Sequence, residues 1–388
     1  MSNFNETILK GWKIKKISNL LDYERPDKYT VKNTAYSDKY KTPVLTANKS
    51  FVLGFTDEDF GIYDDVPVII FDDFTTDSKY VDFPFKVKSS AIKILKAKNK
   101  DVNLRFVYEK IKSIKFPVGN HKRYYISEFQ KMDVAVPPFQ EQNKIAEILS
   151  KVDEDIEKTD EIIKKTEELK KGLMQELLVK GIGHRKFKKT ELGNIPEEWE
   201  IVKIEKFGKI ITGSTPKTSN RNYYGNEYLW VSPKDINSNK YILNTEKKLT
   251  TQGFDVTRKL AKGSVLVVCI GSTIGKIALA GKKLSTNQQI NSIITNDKFL
   301  NEYVYYLLLF NKNKIINKKS TQAVPILNKT TFSNIEIVAT QNKNEQKKII
   351  GILSILDYKI DINKKIKSKL TKLKRGLMQD LLSGNVQI

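Results

Sequence analysis

The sequence has few of the residues that build disulfides and metal sites. Among its 388 residues there are one cysteine, Cys269, and two histidines, His121 and His184. A single cysteine excludes an internal disulfide framework and fits a reducing compartment. The two histidines lie far apart in the sequence, and neither has a second ligand at metal-binding spacing. We therefore expect no metal site in this chain.

Long hydrophobic runs are also missing. The longest of them, such as Val265–Ile270 and Val304–Phe310, are far too short to span a bilayer. Residues 1–11 contain no apolar segment of the kind that opens a secretory signal. These absences predict a cytoplasmic protein that does not insert into a membrane.

Acidic side chains are in the minority. The chain has 68 Lys and Arg against 45 Asp and Glu, which gives a formal net charge of +23. Such an excess is typical of proteins that bind a polyanion, either nucleic acid or an anionic membrane surface. The length and the 39% hydrophobic content are sufficient for two or three globular domains. In the globular regions we expect a mixture of α and β structure, with buried strands at Val66–Phe71 and Val265–Ile270 and a short helix over Asn301–Phe310.

One segment of the sequence occurs twice. Residues 141–178 and 345–382 align without a gap at an offset of 204 residues, and about half of the aligned positions are identical. Both copies begin with Glu-Gln and contain Gly-Leu-Met-Gln near the end. A weaker echo at Trp12 and Trp199 precedes the two copies. The order is therefore globular region, helix, globular region, helix, and glycines 181 and 183 end the first helix.

Apolar residues in each copy recur in steps of three and four, which predicts an amphipathic helix without an interrupting proline. Neither helix can bury its stripe alone, so the other copy is the expected partner. The predicted seam consists of Ile145, Leu149, Val152, Ile156, Thr159, Ile349, Leu353, Leu356, Ile360 and Asn363. The apolar stripe continues through Ile162, Leu169, Leu173 and Leu177 and through Ile366, Leu373, Leu377 and Leu381.

Charge supports this pairing. Residues 141–180 hold 11 acidic and 8 basic side chains, whereas residues 345–382 hold 4 acidic and 10 basic ones. The two helices thus carry opposite net charge, as facing helices would. Together they account for +3 of the net +23, so about +20 remains in the globular regions. Thr159 and Asn363 are equivalent polar positions on the seam, and we expect them to lie close together where the helices cross.

This arrangement resembles the specificity subunits of Type I restriction–modification systems. The first helix is preceded by Pro137-Pro138-Phe139-Gln140-Glu141-Gln142, a motif of that family, whereas the second copy keeps Glu-Gln but lacks the prolines. The second globular region is also similar to the family at residues 212–216, 230–235 and 286–289. The first region is similar to other members at residues 43–47 and 71–74.

The resemblance implies an α+β fold. Two globular α/β target-recognition domains, residues 1–140 and 182–340, would be separated by helical spacers, residues 141–181 and 341–388. The spacers would form an antiparallel coiled coil with a pseudo-two-fold repeat. Each domain would read one half of a bipartite site in double-stranded DNA, while the helices would set the gap and dock two modification (methyltransferase) subunits. Restriction subunits would complete the complex. The chain itself would be non-catalytic and bind no cofactor, because S-adenosylmethionine, ATP and Mg belong to the partner subunits.

Residue chemistry suggests which side chains would contact DNA. Lys and Arg bind phosphates, whereas planar amides and Arg read base edges. The candidates in the first domain are Asn120, His121, Lys122, Arg123 and Tyr124, and those in the second are Lys217, Arg221, Asn222, Tyr223, Ser272, Lys276, Asn287, Gln288 and Gln289. Asn287 and Gln288 could instead cap local backbone. Further candidates for phosphate contacts are Lys41, Lys49, Lys86 and Lys88.

Two other functions stay open at this stage. One is a fused methyltransferase–nuclease with similar recognition domains, and the other is a coiled-coil adaptor that binds only protein. Pro137-Pro138-Phe139 is similar to a methyltransferase motif, but Val136 stands where that motif needs Asn or Asp. Residues 271–276 are similar to a phosphate loop, but one residue is missing between the glycines and Ile277 replaces the hydroxyl residue. The basic surplus outside the helices argues against the adaptor.

Overall fold

The structure, a computed structural model, describes residues 11–47, 50–119, 122–237, 239–320, 324–386 and 388. It divides into two compact units. Unit 1 comprises Met1–Glu161 and Asn363–Ile388, and unit 2 comprises Ile162–Ile362. Each unit therefore contains one globular domain, the first half of the long helix that follows it, and the second half of the other long helix. None of the helices in the described ranges is long and apolar enough to cross a membrane.

The two long helices have the bounds that an internal repeat requires. The helices are α1 (Leu104–Ser113), α2 (Phe139–Val179), α3 (Thr251–Asp255), α4 (Asn301–Phe310), α5 (Lys312–Asn317), α6 (Lys329–Ser333) and α7 (Lys343–Ser383). Helices α2 and α7 both have 41 residues, and adding the offset of 204 to either end of α2 gives the corresponding end of α7. At 1.5 Å per residue each is about 60 Å long. The predicted helix over Asn301–Phe310 is confirmed as α4.

The described residues of unit 1 form two sheets and a separate strand pair. Its strands are β1 (Lys13–Lys16), β2 (Leu21–Glu24), β3 (Thr42–Leu45), β4 (Val52–Thr56), β5 (Val68–Asp72), β6 (Ser78–Val81), β7 (Lys86–Val87), β8 (Ile92–Ala97) and β9 (Asp133–Val136). The sheet orders are β2-β8-β5-β6 and β4-β3-β7, and β1 pairs with β9. Strand β5 confirms the strand predicted at residues 66–71. It is buried on both faces, because Ile69 and Phe71 enter one core cluster while Val68 and Ile70 enter another.

Unit 2 repeats this design with more strands. They are β10 (Phe187–Thr190), β11 (Gly193–Pro196), β12 (Glu200–Lys203), β13 (Gly208–Thr212), β14 (Tyr224–Gly225), β15 (Tyr228–Val231), β16 (Tyr241–Ile242), β17 (Lys248–Leu249), β18 (Lys259–Leu260), β19 (Val265–Val268), β20 (Ile277–Ala280), β21 (Leu284–Thr286), β22 (Ile290–Thr295) and β23 (Glu336–Ala339). The two five-stranded sheets have the orders β13-β22-β19-β20-β16 and β14-β17-β15-β21-β18. The predicted strand at residues 265–270 is confirmed as β19, whose alternate residues enter two core clusters.

The Glu of each Glu-Gln pair explains the tryptophan echo in the sequence. In unit 1, Trp12 Nε1 donates to Glu141 Oε1 at 3.3 Å. In unit 2, Trp199 Nε1 donates to Glu345 Oε2 at 3.0 Å. All four side chains are buried. Each tryptophan therefore satisfies a buried carboxylate and fixes the start of its helix against its own domain.

The Gln of each pair also bonds to its own domain. The Gln142 amide accepts a hydrogen bond from Asn103 N at 2.9 Å and donates to Pro137 O at 3.0 Å. Gln346 makes the two equivalent bonds to backbone atoms of unit 2, at 2.8 and 2.9 Å. Both glutamines are almost completely buried. An amide that serves as donor and acceptor at once suits this position, which accounts for its presence in both copies.

Burial along the helices follows the predicted steps over their first halves. The buried seam residues are Ile145, Leu149, Val152, Thr159, Ile349, Leu353, Leu356 and Ile360, while Ile156 and Asn363 are half-buried. The Thr159 hydroxyl donates to Asp155 O at 2.6 Å, so its polar group is satisfied within its own helix. The predicted proximity of Thr159 and Asn363 stays a prediction.

The continuation of the apolar stripe is confirmed at its last positions, Leu177 and Leu381, which are buried, but its middle positions differ from the prediction. Ile162, Leu169, Ile366 and Leu373 are 41%, 53%, 41% and 51% exposed, so they do not line a buried seam. Between residues 160 and 176 of α2 the buried positions are instead Ile163, Thr166 and Met174, and Lys170 is half-buried. In this part of α2 the polar residues Thr166 and Lys170 face inward, whereas the apolar residues Ile162 and Leu169 face solvent. A hydrophobicity pattern cannot predict this arrangement.

In unit 1 α2 and α7 pair antiparallel, and unit 2 contains a repeat-equivalent contact between the same two helices. In unit 1, Asp153 pairs with Lys374 and Asp160 with Lys367, both at 2.6 Å. A step of seven residues forward on α2 thus corresponds to seven residues backward on α7. In unit 2, Lys170 pairs with Asp357. Adding 204 to 153 gives 357 and subtracting 204 from 374 gives 170, so this ion pair is the repeat equivalent of the first one.

Candidate nucleic-acid interface

In unit 2 four loops meet at one edge of the two sheets. They follow β13, β15, β19 and β21, and the strand register brings their starting points together. Thr212 pairs with Asn291, and Val231 lies beside Thr286 in the parallel pair β15–β21. Val268 at the end of β19 pairs with Ile290 at the start of β22. This edge, formed by residues 212–216, 231–235, 268–277 and 286–291, is named the loop edge below.

Close backbone packing shapes the loop edge. Gly213 N donates to Ile290 O at 3.0 Å, and Ser214 N donates to Thr286 O at 2.8 Å. A Cβ atom on Gly213 would lie only 2.0 Å from Asn287 O. Only glycine allows the two loops to approach this closely. The loop edge is therefore a defined surface in which the side chains of neighbouring loops are held in fixed relation.

The three consecutive amides at the loop edge divide into two groups. Asn287 is 8% exposed, and its Nδ2 donates to Gln289 Oε1 at 2.8 Å while its Oδ1 accepts from Gln289 N at 3.1 Å. These two amides satisfy each other and the local backbone. Gln288 is exposed, and its Oε1 accepts a hydrogen bond from Thr215 Oγ1. Of the three, Gln288 alone presents its amide outward, with its NH₂ group free of hydrogen-bond partners among the described residues.

The glycine-containing turn at residues 271–276 belongs to the same edge. It joins the antiparallel strands β19 and β20, whereas a phosphate loop joins a strand to a helix. This geometry rules out the phosphate-loop reading. Ser272 is exposed, and Lys276 Nζ lies 3.4 Å from Pro233 O. Both residues therefore belong to the rim of the loop edge, where a polyanion could contact them.

The segment from Lys217 to Tyr223 continues from the loop edge. Lys217, Arg221 and Asn222 are exposed, and Tyr223 is half-buried. Tyr224 Oη donates to Pro216 O at 3.0 Å, which holds the far end of the segment near its start. The candidate residues of the second domain therefore lie on one chain segment and the adjacent loop edge.

In unit 1 the structure separates the candidates. Lys122 and Arg123 are exposed, and the Arg123 guanidinium lies 5.9 Å from the Phe74 ring on the loop after β5. Tyr124 is 1% exposed, and its Oη accepts from Gly119 N at 2.7 Å. Its ring belongs to the core, where no base can reach it, so the structure assigns Tyr124 to packing. Asn120 and His121 lie outside the described residues.

Buried ion pairs fix the loops of unit 1. Lys86 Nζ lies 3.0 Å from Glu58 Oε2, and both side chains are buried, so the prediction that Lys86 contacts phosphate is wrong. Burial opposes ionisation of Glu58, but hydrogen bonds from Asn33 N, Lys86 and Lys32 N outweigh it and hold the pKa of that carboxyl below its usual value. A second buried pair joins Lys93 and Asp73 at 3.1 Å. Lys49 lies outside the described residues, whereas Lys41 and Lys88 are exposed.

These features define a class of protein. Two domains of one design each continue into a copy of the same helix, and each presents exposed polar and basic side chains on its loops. Within the described ranges, no three His, Cys, Asp or Glu side chains gather to hold a metal ion. Pro137 and Pro138 lead directly into α2, and the carbonyl of Pro137 accepts a hydrogen bond from Gln142. The molecule is an internally duplicated protein whose two domains each present a polar and basic loop surface.

Comparisons with known proteins identify the family. The profile of the Type I restriction modification DNA specificity domain matches residues 9–168 and 196–372. The chain therefore belongs to the Type I restriction–modification specificity family, whose members are DNA-recognition components and not enzymes in their own right. It is 30% identical over 371 residues to the EcoR124I/EcoR124II specificity subunit of Escherichia coli, which covers 92% of this chain and 89% of that protein. It is also 30% identical over 269 residues to the putative MjaX specificity subunit of Methanocaldococcus jannaschii, covering 68% of this chain and 61% of that protein.

Solved structures show the same fold. The S subunit of a Type I restriction–modification system from M. genitalium matches with a TM-score of 0.69 at 16% identity, covering 98% of each chain. A chain from a study of complex assembly and conformational transition of the type I R-M system matches with a TM-score of 0.55 at 13% identity, covering 98% of this chain and all of that one. At these identities the likeness concerns the fold.

Proposed function

We propose that this chain selects the DNA site of a Type I restriction–modification complex by reading two half-sites, one with each globular domain. The observation that carries the proposal is the equivalence of the two units. Each joins its domain to its own helix through the same buried Glu–Trp and Gln–backbone bonds. A duplicated attachment with different loops is what a reader of two different half-sites requires. The proposed domains are residues 1–140 and 182–340.

The proposed contacts divide by chemistry. Affinity would come from cations such as Lys122, Lys217 and Lys276 on phosphates, supported by the charge of about +20 outside the helices. Specificity would come from exposed planar groups, with Gln288 and Arg221 the leading candidates in the second domain. Asn287 and Gln289 would act by holding Gln288 in place, because their own amides bond to each other.

Docking of two modification subunits is supported by apolar side chains that the helices leave exposed. Unit 1 exposes Ile148, Ile366 and Leu373, and unit 2 exposes the repeat equivalents Ile352, Ile162 and Leu169. All six precede by one residue a position that is buried or that forms an ion pair with the other helix, which places them on the same flank of the heptad pattern. Two equivalent apolar patches suit two copies of one partner. In the proposed complex these partners carry S-adenosylmethionine, restriction subunits carry ATP and Mg, and assembly takes place in the cytoplasm.

The test of half-site reading is a domain exchange. Residues 1–140 are replaced by the first domain of another family member, and the methylated sites of the host genome are mapped by single-molecule sequencing. Only one half of the site should change. In a second variant, Gln288→Ala should relax the other half, because a good bidentate base contact contributes about 1–3 kcal/mol. A change in both halves after the exchange would contradict independent reading.

The test of the helices as a spacer is a matched insertion. Seven residues are added after Glu161 in α2 and after Lys365 in α7, two points that the pairing of Asp160 with Lys367 places opposite each other. One heptad in each helix preserves the seam and adds about 10 Å. At about 3.4 Å per base pair the gap should grow by about three base pairs. An insertion in α2 alone is the control and should disrupt the pairing. An unchanged gap in an active double insertion would show that the helices do not measure it.

A further inference from the structure

We propose that Arg258 reads a guanine in the second half of the DNA site, an inference that rests on the proposed function of unit 2. Arg258 is the residue before β18 and borders the loop edge. Its backbone N donates to Ser214 Oγ at 3.1 Å, and its Nη1 donates to Thr212 O at 2.8 Å. The end of β13 and the loop after it therefore hold both the backbone and the guanidinium of this residue.

The guanidinium of Arg258 is held in one orientation, but most of its hydrogen-bond donors remain available. It has five N–H donors, and the bond to Thr212 O uses one of them. Arg258 is exposed, and within the described ranges no carboxylate forms an ion pair with it. Arg105 differs, since it pairs with Glu109 and Asp153. A fixed fork with free donors matches the O6 and N7 atoms of guanine, the commonest specific contact of arginine with a base edge.

Its neighbours have the chemistry of a reading surface. Ser214, which accepts the Arg258 backbone N–H, is followed by Thr215, whose hydroxyl holds the exposed Gln288 amide. An arginine fork and a glutamine amide are thus fixed on one loop, and these are the groups that read guanine and adenine respectively. The close approach at Gly213 prevents the loop from shifting relative to β21.

Among the residues that the structure describes, this strand arrangement with Arg258 at its edge occurs in the second domain alone. In unit 2, β21 pairs with β15 on one side and with β18 on the other, and β18 brings Arg258 to the edge. In unit 1 the corresponding strand β7 pairs with β3 on one side. On its other side the described residues show an isolated bridge between Thr30 and Val87 in place of a strand. Effects of changing Arg258 should therefore be confined to the second half-site.

The experiment measures DNA binding by the full chain in complex with its modification subunits. The duplexes carry the methylated site mapped for the unaltered protein, or that site with one base pair of the second half-site replaced. Arg258→Ala should reduce discrimination at one G·C pair by about 5- to 150-fold and leave discrimination in the first half-site unchanged. Arg258→Lys should lose the same discrimination but keep the salt dependence, because it keeps the charge without the fork.

Arg185→Ala is the matched control, since Arg185 is an exposed arginine of unit 2 away from the loop edge, and it should leave discrimination unchanged. A uniform loss of affinity by Arg258→Ala for all duplexes, with a salt slope reduced by about one, would identify a phosphate contact and overturn the proposal. Unchanged binding would also overturn it. If the unaltered complex does not discriminate between duplexes that differ in the second half-site, the proposed function itself fails. This result comes from the unaltered complex alone, so it is distinguishable from a failure of the Arg258 proposal.

Discussion

Replacing Lys374 by methionine should destabilise unit 1 by about 3 kcal/mol. Lys374 on α7 lies between two carboxylates, with its Nζ 3.1 Å from Glu109 Oε2 and 2.6 Å from Asp153 Oδ2. The side chain of Glu109 is completely buried and that of Lys374 is 10% exposed. The lysine therefore compensates a carboxylate that water cannot reach, at the point where α7 contacts both α1 and α2.

The magnitude follows from what the substitution leaves behind. Removing one partner of a buried ion pair costs about 3–5 kcal/mol, because the remaining charge stays buried without compensation. The lower end applies here, since Arg105 Nη2 remains 3.1 Å from Glu109 Oε1 and Asp153 is 25% exposed. Replacing both Glu109 and Lys374 by methionine should cost less than Lys374→Met alone, because the buried carboxylate is removed as well.

Hydrogen exchange of the full chain, resolved by mass spectrometry, measures the stability of each unit separately. Lys374→Met should lower protection in strands β5 and β8 of unit 1. The matched control is Lys170→Met, the repeat equivalent in unit 2. Its loss should be smaller, because Lys170 and Asp357 are 17% and 22% exposed and Tyr306 Oη still donates to Asp357. A loss below about 1 kcal/mol in Lys374→Met, or an equal loss in the double variant, would refute the reasoning.

Three further outcomes are expected. Glu345→Ala should lower the unfolding temperature more than Glu141→Ala, because Glu345 accepts three hydrogen bonds and Glu141 accepts one. Each buried donor left unsatisfied costs about 1–3 kcal/mol, and equal shifts in unfolding temperature would contradict this expectation. Combining Leu169→Ser with Leu373→Ser should weaken binding of the modification subunits, measured by calorimetry. The stability of the chain should change little, since both side chains are about half exposed. Unchanged affinity would argue against the apolar patches as docking sites. Burial raises the pKa of the Cys269 thiol to about 12, so at pH 8 about one thiol in ten thousand is ionised. Iodoacetamide should therefore label Cys269 only after denaturation, and rapid labelling of the folded chain would contradict its burial.

The helices could be predicted from the sequence because each position of the helical segment occurs in two aligned copies, and the same apolar pattern appears in both. A gap-free offset of 204 residues made both helices visible, and the structure places both helix starts and both helix ends at that offset. The seam beyond Thr159 was harder to predict. Lys170 and Thr166 turn inward while Ile162 and Leu169 turn outward, because ion pairs and backbone bonds satisfy the inward polar groups. Hydrophobicity alone ranks these residues in the opposite order.

The candidate DNA contacts could be predicted only as a set of loops. An amide that bonds to its neighbour and an amide that reads a base have the same composition, so Asn287 and Gln288 are indistinguishable until their hydrogen bonds are known. Tyr124 follows two basic residues, yet its ring packs in the core at 5.2 Å from Phe116. Arg258 has no neighbouring amide or aromatic cluster to mark it. Strand pairing of β18 with β21 brings Arg258 to the loop edge. This pairing depends on the tertiary structure and cannot be predicted from the residues around Arg258.

Duplication places different constraints on the helices and on the loops. A contact between α2 and α7 occurs in two equivalent versions, Asp153 with Lys374 and Lys170 with Asp357, so each position must fit a partner that is a copy of its own segment. The two copies carry net charges of −3 and +6, yet these two ion pairs keep the same residue types at equivalent positions. The loops have no such partner: β18 and Arg258 occur in unit 2, while unit 1 uses buried pairs such as Glu58–Lys86 to shape its loops. A substitution on the helix seam should therefore be rescued by a matching change in its partner on the other helix, as at Asp153 and Lys374. A substitution on the loop edge should alter one half-site and have no intramolecular suppressor.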